Sequence, residues 1–279
     1  MRYWSWLLPL AVLLGALAVR VVDPPLVEAM RLTTFDEYQR LRPATWSDAN
    51  VRVVDIDDET LERVGQWPWS RNRLARFLLK LGEMGAAVVA FDIVFAEPDR
   101  TSPRRVVTEW DTDAVDEGVA DLVQRLPDHD DAFAAALREV PSVIGFPMLP
   151  DRRSRLPQVK WSWAYGGDDP QQFLLPAPGA RPNLPVIENA AAGQGAFAAD
   201  PDRDGIYRRA PLLFLVNPPG EKPVMYPSLS LEALRVAQGA KTYLVRSSGA
   251  SAPALPSMIR HAGTTRSGTG PASRSQSRP

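Results

Sequence analysis

VRVVDIDDETLERVGQWPWSRNRLARFLLKLGEMGAAVVAFDIVF, residues 51–95, carries the pattern on which the fold turns. It opens on a β-branched run that ends in acids, which predicts a strand over residues 51–56, buried on both faces, with its last residues at a sheet edge. Asp58 is placed to cap a short helix that closes at Gly65. Ser70 then caps an amphipathic helix, with Leu74, Phe77, Leu78, Leu81 and Met84 at helical spacing and Gly85 as its stop. The apolar run 86–95 predicts a second buried strand. A strand, a helix and a strand joined by links this short form a right-handed unit, so the two strands are expected as parallel neighbours.

Outward from this block, Phe133, Ala136, Leu137 and Val140 mark one face of a further helix, and residues 142–148 a third strand. The acidic stretch 109–121 and the proline-rich region 147–185, with Trp161, Trp163 and Tyr165, read as loops. Residues 195–197 resume structure, 202–205 turn, and 206–216 return as an apolar strand, a pattern that predicts a late hairpin. Residues 227–237 predict a last helix, with Gly239 behind it. The expected fold is α/β in three layers: a mostly parallel sheet with helices on both faces, strands 51–56 and 87–95 central, and a late β-hairpin.

At the N-terminus, residues 3–19 carry no charge. Leu7, Leu8, Leu10, Val12, Leu13, Leu14 and Leu17 make this segment apolar all round, and Trp4, Trp6 and Arg20 are residues that settle at membrane interfaces. One N-terminal transmembrane helix is therefore expected within residues 1–22. Ala16-Leu17-Ala18 also has the small-x-small form that a signal peptidase reads, so a cleaved signal peptide stays open as the alternative. Either way the remainder is exported. Residues 23–44 read as a mixed-charge stalk with a helical patch over 26–38. Residues 45–262 hold the main domain, and 263–279, rich in serine, glycine, arginine and proline, are expected to be disordered.

Composition narrows the function classes. Lys plus Arg number 32 against 33 Asp plus Glu, so no basic field exists to hold nucleic acid. The chain has no cysteine, which removes disulfides, thiolate nucleophiles and cysteine-ligated metals. With only His129 and His261 available, a histidine-rich metal site or a Ser-His-Asp triad has almost no material.

Three motifs carry a resemblance. A V-x-I-D strand end reaches Asp57, the turn GQWPWSR runs over residues 65–71, and the block FDIVFAEPD over residues 91–99. With DPDRDGIYRRAPLL (200–213) and YPSLSLEALR (226–235), they make the chain similar to the type-two CHASE family over residues 45–258. The resemblance implies an extracytoplasmic sensory domain of a bacterial signal-transduction receptor. Such a domain is tethered at its N-terminus in the inner membrane and is associated with an output such as an adenylate cyclase, a histidine kinase or a Ser/Thr kinase. No second membrane run and no output domain follow in this sequence, so the expectation is either a truncated receptor or a stand-alone part that works through a second copy of itself or a separate output protein.

Candidate ligand-binding residues are Asp55, Asp57, Trp67, Trp69, Arg71, Asp92, Glu97 and Asp99. In an open α/β sheet, ligands bind at the carboxyl ends of the strands. Carboxylates gathered there suit a divalent cation, with Asp57 and Asp92 as candidate ligands, or an amine. The structural alternative is that Asp57 and Asp92 accept hydrogen bonds from loop amides and Arg71 and so hold the turn. Trp67-Pro68-Trp69 is either an aromatic platform for a ligand or a turn packed on its own domain. Arg208 and Arg209 follow a tight turn, one expected inward and one outward. Asp55-x-Asp57 resembles the nucleophile motif of haloacid-dehalogenase-type phosphatases, but Glu59 stands where that motif needs Thr. No cofactor is expected. The reading is a binding domain for an unidentified small ligand, not an enzyme, with a metal-dependent phosphohydrolase and a ligand-free exported scaffold as alternatives.

Overall fold

The computed structural model describes residues 4–43, 45, 50–108, 117–151, 155–197 and 201–247. The tail expected to be disordered and part of the acidic stretch lie outside the described residues. The chain divides into two compact units, residues 1–60 and 61–279.

The first unit holds α1 (Trp4–Val22) and α2 (Pro25–Leu41). Asp23, with φ of 45°, and Pro24 end α1, and Pro25 starts α2 at a position where a missing amide costs nothing. α2 is the helix expected over 26–38. The expected single transmembrane helix is not confirmed. Among the described residues no one helix is long and apolar enough to cross a membrane, and α1 from Leu7 passes only together with α2, at a bend of 79°.

Residues 51–57 form no strand. Val51, Val53 and Val54 are exposed, Val53 by 89%. This corrects the expected first central strand, because β-branched residues favour a strand only where neighbours cover the pleat. Asp57, not Asp58, closes the start of α3 (Asp58–Val64): its Oδ1 accepts from the Thr60 amide at 2.8 Å and the Thr60 hydroxyl at 2.6 Å.

The second unit begins within α3. Ser70 caps α4 (Arg71–Glu83), its hydroxyl accepting from the Arg73 amide, and Leu74, Ala75 and Leu78 are buried as the helical spacing requires. β1 is only Val89–Phe91, shorter than the expected 86–95. Beyond Phe91 the chain bonds to a loop rather than a strand: the Phe95 amide donates to Asn183 Oδ1, and the Leu184 amide to the Phe95 carbonyl at 2.8 Å. Next come α5 (Pro103–Thr108), α6 (Glu117–Arg125), and α7 (His129–Glu139), capped by Asp128.

β2 (Ser142–Leu149), a strand expected over 142–148, takes the place of residues 51–56 as the parallel neighbour of β1, with Val89 opposite Ser142. β3 (Ser162–Gly166) lies in the region expected to be loop; its partner is distant in sequence. It is followed by short strands β4 (Pro176–Ala177) and β5 (Gly179–Ala180) and by α8 (Pro185–Ala190). β6 (Gly193–Phe197) pairs parallel with β2, and β5 adds antiparallel to the far end of β2.

The late hairpin exists but is made of other strands. β7 (Leu213–Val216) pairs antiparallel with β8 (Val224–Pro227), while β6 does not pair with β7. β4 extends this second sheet, α9 (Leu229–Ala237) follows, and β9 (Thr242–Arg246) pairs with β3 in a third. The expected continuous mostly parallel sheet is thus three smaller ones within a mixed α/β unit.

Packing explains two choices. A Cβ at Gly195 would stand 2.5 Å from Leu229 Cα and one at Gly193 2.3 Å from Glu232 Oε1, so the glycines of β6 let α9 lie directly on the strand. In the main core Phe91, Phe95 and Phe133 meet edge to face at 5.0–5.8 Å, joined by Leu74, Leu78, Leu137, Ile144 and Ile187. Each such ring pair adds about 0.5–1.5 kcal/mol beyond its buried area.

Candidate functional site

Beside the phenylalanine core lies a cleft of about 390 Å³, formed by the Trp67–Arg71 turn, the chain after β1, and Arg181. Five of the expected site residues line it: Trp67, Trp69, Arg71, Glu97 and Asp99. Asp55, Asp57 and Asp92 are exposed and are not among the lining residues. Among the described residues no group of three or more histidines or carboxylates is arranged to hold a metal ion.

The aromatic wall is fixed by backbone contacts. Trp67 and Trp69 meet edge to face with centroids 5.7 Å apart, and the Trp69 indole N–H donates to the Gly65 carbonyl at 2.8 Å. Arg73 braces the same turn, donating to the Val64 carbonyl at 2.7 Å with its guanidinium 6.0 Å from the Trp69 ring centre. Both indoles also pack on the phenylalanine core. The turn is therefore packed on its own domain and still offers ring surface to the cleft.

Asp99 is the knot of the floor. One carboxylate oxygen accepts from the Arg71 amide at 2.6 Å and lies 3.2 Å from His129 Nδ1; the other accepts from the Thr101 amide and hydroxyl, both at 2.8 Å. Burial alone would raise its pKa, but these donors and His129 together hold it below the ordinary carboxylate value. Asp99 thus fills the role of holding the turn that the sequence suggested for Asp57 and Asp92. The Asp99 amide in turn donates to Asp130 Oδ2 at 2.9 Å, and burial pushes the Asp130 carboxyl up.

Arg71 is held differently. Its guanidinium carbon lies 4.5 Å from the centre of the Phe95 ring, and its Nε is 3.6 Å from Asp130 Oδ1, too far for a hydrogen bond. Among the described residues that buried Nε has no hydrogen-bond partner, and Asp130 Oδ1 has none either. The side chain is 11% exposed. At the mouth, Arg181 donates to Glu97 at 3.0 Å in an exposed pair, and Arg100 is exposed beside it.

Sequence reasoning missed Arg181, Asp130 and His129. Arg181 is 84 positions from Glu97 and Asp130 is 31 from Asp99, separations that no local pattern announces. The expectation for the arginine pair holds in its main point: Arg208 is buried against Asp202 and Asp204 while Arg209 is 78% exposed.

No curated protein and no solved structure matches this chain. A family model does, over residues 10–271, nearly the whole sequence, and on that match the chain belongs to the CHASE2 domain family, a family of extracellular sensory domains.

Proposed function

We propose that this chain is the ligand-sensing part of a bacterial signal-transduction receptor, held at the inner membrane by its N-terminal segment with the main domain on the extracytoplasmic side, and that the ligand occupies the cleft beside Trp67 and Trp69. Membership of a sensory family supports the class of function. The observation that carries the site is the cleft itself, which gathers two indoles, an arginine fork and two carboxylates that are far apart in type and partly apart in sequence. A second copy or a separate output protein would receive the signal. Cleft volume and lining suit binding; among the described lining residues there is no serine, threonine or histidine.

A thermal-shift screen of divalent cations, amines and small anions on the full chain in detergent tests this reading, since a ligand that binds only the folded state raises the melting temperature. At least one class should stabilise the wild type and lose that effect in Trp67→Ala. If every stabilising compound acts equally on the variant, the cleft is not the sensing site. A cation effect removed by Asp57→Asn or Asp92→Asn would place sensing at those acids instead. Turnover of a phosphate ester with magnesium, abolished by Asp55→Asn, would make the chain a phosphohydrolase.

A further inference from the structure

We infer that the cleft selects a small organic anion with an apolar body, its carboxylate held by the Arg71 fork and its body laid against Trp67, Trp69 and the Ile93–Val94 wall. The inference rests on the cleft being the sensing site and adds the chemical class of what it senses.

Charge bookkeeping at the lining leads there. Asp99 is spent: its two oxygens already accept from the Arg71 amide and from Thr101, and His129 lies against one of them. Glu97 is paired with Arg181. The lining acids are therefore engaged. On the cationic side, Arg71 makes no hydrogen bond through its guanidinium to a protein acceptor among the described residues, its nearest carboxylate oxygen being 3.6 Å from Nε. A guanidinium carries five donors in a fixed fork that matches a carboxylate with two parallel bonds. Asp130 Oδ1, itself without a hydrogen bond, stands 3.6 Å from Nε and balances part of the charge, but the fork makes no hydrogen bond to a described acceptor beside the 390 Å³ space. Arg100 at the mouth adds to the same sign.

The fork is also held in place while it makes no such bond. Phe95 supports one face of the guanidinium, and the Arg71 backbone amide is tied to Asp99, so the side chain starts from a fixed root. Ordering cost on binding is small for such a group. The rest of the lining, two indoles, Pro68, Ile93 and Val94, favours hydrocarbon or a ring. At about 30 Å³ per water in the liquid, the space equals roughly a dozen waters, so the ligand has on the order of ten non-hydrogen atoms.

The test uses the full chain in detergent and isothermal titration with phenylacetate and isovalerate as probes, acetate and inorganic phosphate as anions without an apolar body, and benzylamine as the cation of matching body. The expected result is binding of phenylacetate or isovalerate, at least about tenfold weaker binding of acetate, phosphate and benzylamine, and a loss of about tenfold or more in Arg71→Lys, which keeps the charge and removes the fork. Glu97→Gln, on the exposed rim, should strengthen carboxylate binding by freeing Arg181. Equal or tighter binding of benzylamine, no binding by either probe at about 10 mM, which is weaker than any affinity worth −4 kcal/mol, or carboxylate binding indifferent to Arg71→Lys overturns the inference. If benzylamine binds and Trp67→Ala abolishes it, the cleft remains the sensing site and only the ligand class is wrong. If no probe that binds responds to Trp67→Ala, both readings fall.

Discussion

Two charged networks in the second unit use the same residue types and reach opposite states. Under α9, Arg235 grips Glu232 with two bonds, Nε to Oε2 at 2.7 Å and an Nη to Oε1 at 2.6 Å, while Tyr243 donates to the same carboxylate at 2.5 Å. Glu232 has no exposed surface and Arg235 8%. Beside them, Arg155 donates to Glu188 at 2.5 Å, and Lys160 donates to the carbonyls of Glu188 and Ala191 at the end of α8. In the cleft, by contrast, Arg71 has an aromatic seat and an anchored backbone, but among the described residues its fork makes no hydrogen bond, Asp130 Oδ1 standing 3.6 Å from Nε. Where the two partners of a fork bond each other, the pair is structure; where the fork stays without hydrogen bonds, it is open to a ligand's acceptor.

The comparison breaks most visibly at Glu232. Glu232→Ala should destabilise the chain by about 3–5 kcal/mol, because it leaves Arg235 buried without its carboxylate, with only the Ala240 and Ala192 carbonyls as acceptors. Urea unfolding followed by tryptophan fluorescence measures this. A cost below about 1 kcal/mol would mean that the network under α9 is hydrated and not the closed pair described.

Asp99→Asn should cost less, about 1–3 kcal/mol, through the weakened bonds to the Arg71 amide and Thr101. It should also weaken ligand binding, since the root of the fork is loosened.

Glu188 and Asp99 should also answer pH with opposite signs. Burial is the largest cause raising the Glu188 carboxyl above its ordinary 4.5, with Arg155 opposing. Just above 4.5 the folded chain binds more protons than the unfolded one, so this group's contribution to stability falls as pH rises through that window. For Asp99 the donors outweigh burial and hold the folded pKa below the ordinary 3.8. Below 3.8 the unfolded chain binds more protons, so the Asp99 contribution is present above that value and is lost as pH falls through the lower window. Denaturation between pH 3 and 7 should show a slope that Glu188→Gln removes on the alkaline side and Asp99→Asn on the acid side. Identical curves for both variants would erase the distinction.

The smallest effect is expected at the rim. Arg181 and Glu97 are 48% and 82% exposed in their side chains, so Glu97→Gln should change stability by less than about 1 kcal/mol. A larger loss would move this pair from the binding edge into the scaffold.

Much of the second unit was legible because its signals are local. Ser70 caps α4, Asp128 caps α7, and Ser228 caps α9, each through a side-chain bond within three residues. The apolar runs that became β1 and β2 were legible as strands, but the parallel neighbour expected for β1 was 51–56 and not β2. In the site, the indoles, Arg71, Glu97 and Asp99 sit in two short motifs and were found together. What Asp99 does was not legible, because the choice between it, Asp57 and Asp92 depends on where the Arg71 amide and His129 arrive.

Sequence alone determined the apolar N-terminal run, the capped helices, the absence of thiol chemistry and the kinship with a sensory family, since each is written in composition or in neighbours a few positions apart. Tertiary structure alone decided which apolar runs became strands. Residues 51–57 and β2 read alike, yet Val53 is 89% exposed and Ile144 fully buried, because β2 lies between β1 and β6 while 51–57 has no ladder partner among the described residues. It also decided that Arg71 Nε and Asp130 Oδ1 stand 3.6 Å apart with neither hydrogen-bonded, while Asp99 is engaged through both its oxygens. A strand needs a partner and a donor needs an acceptor, and both partners are chosen by contacts tens of residues away.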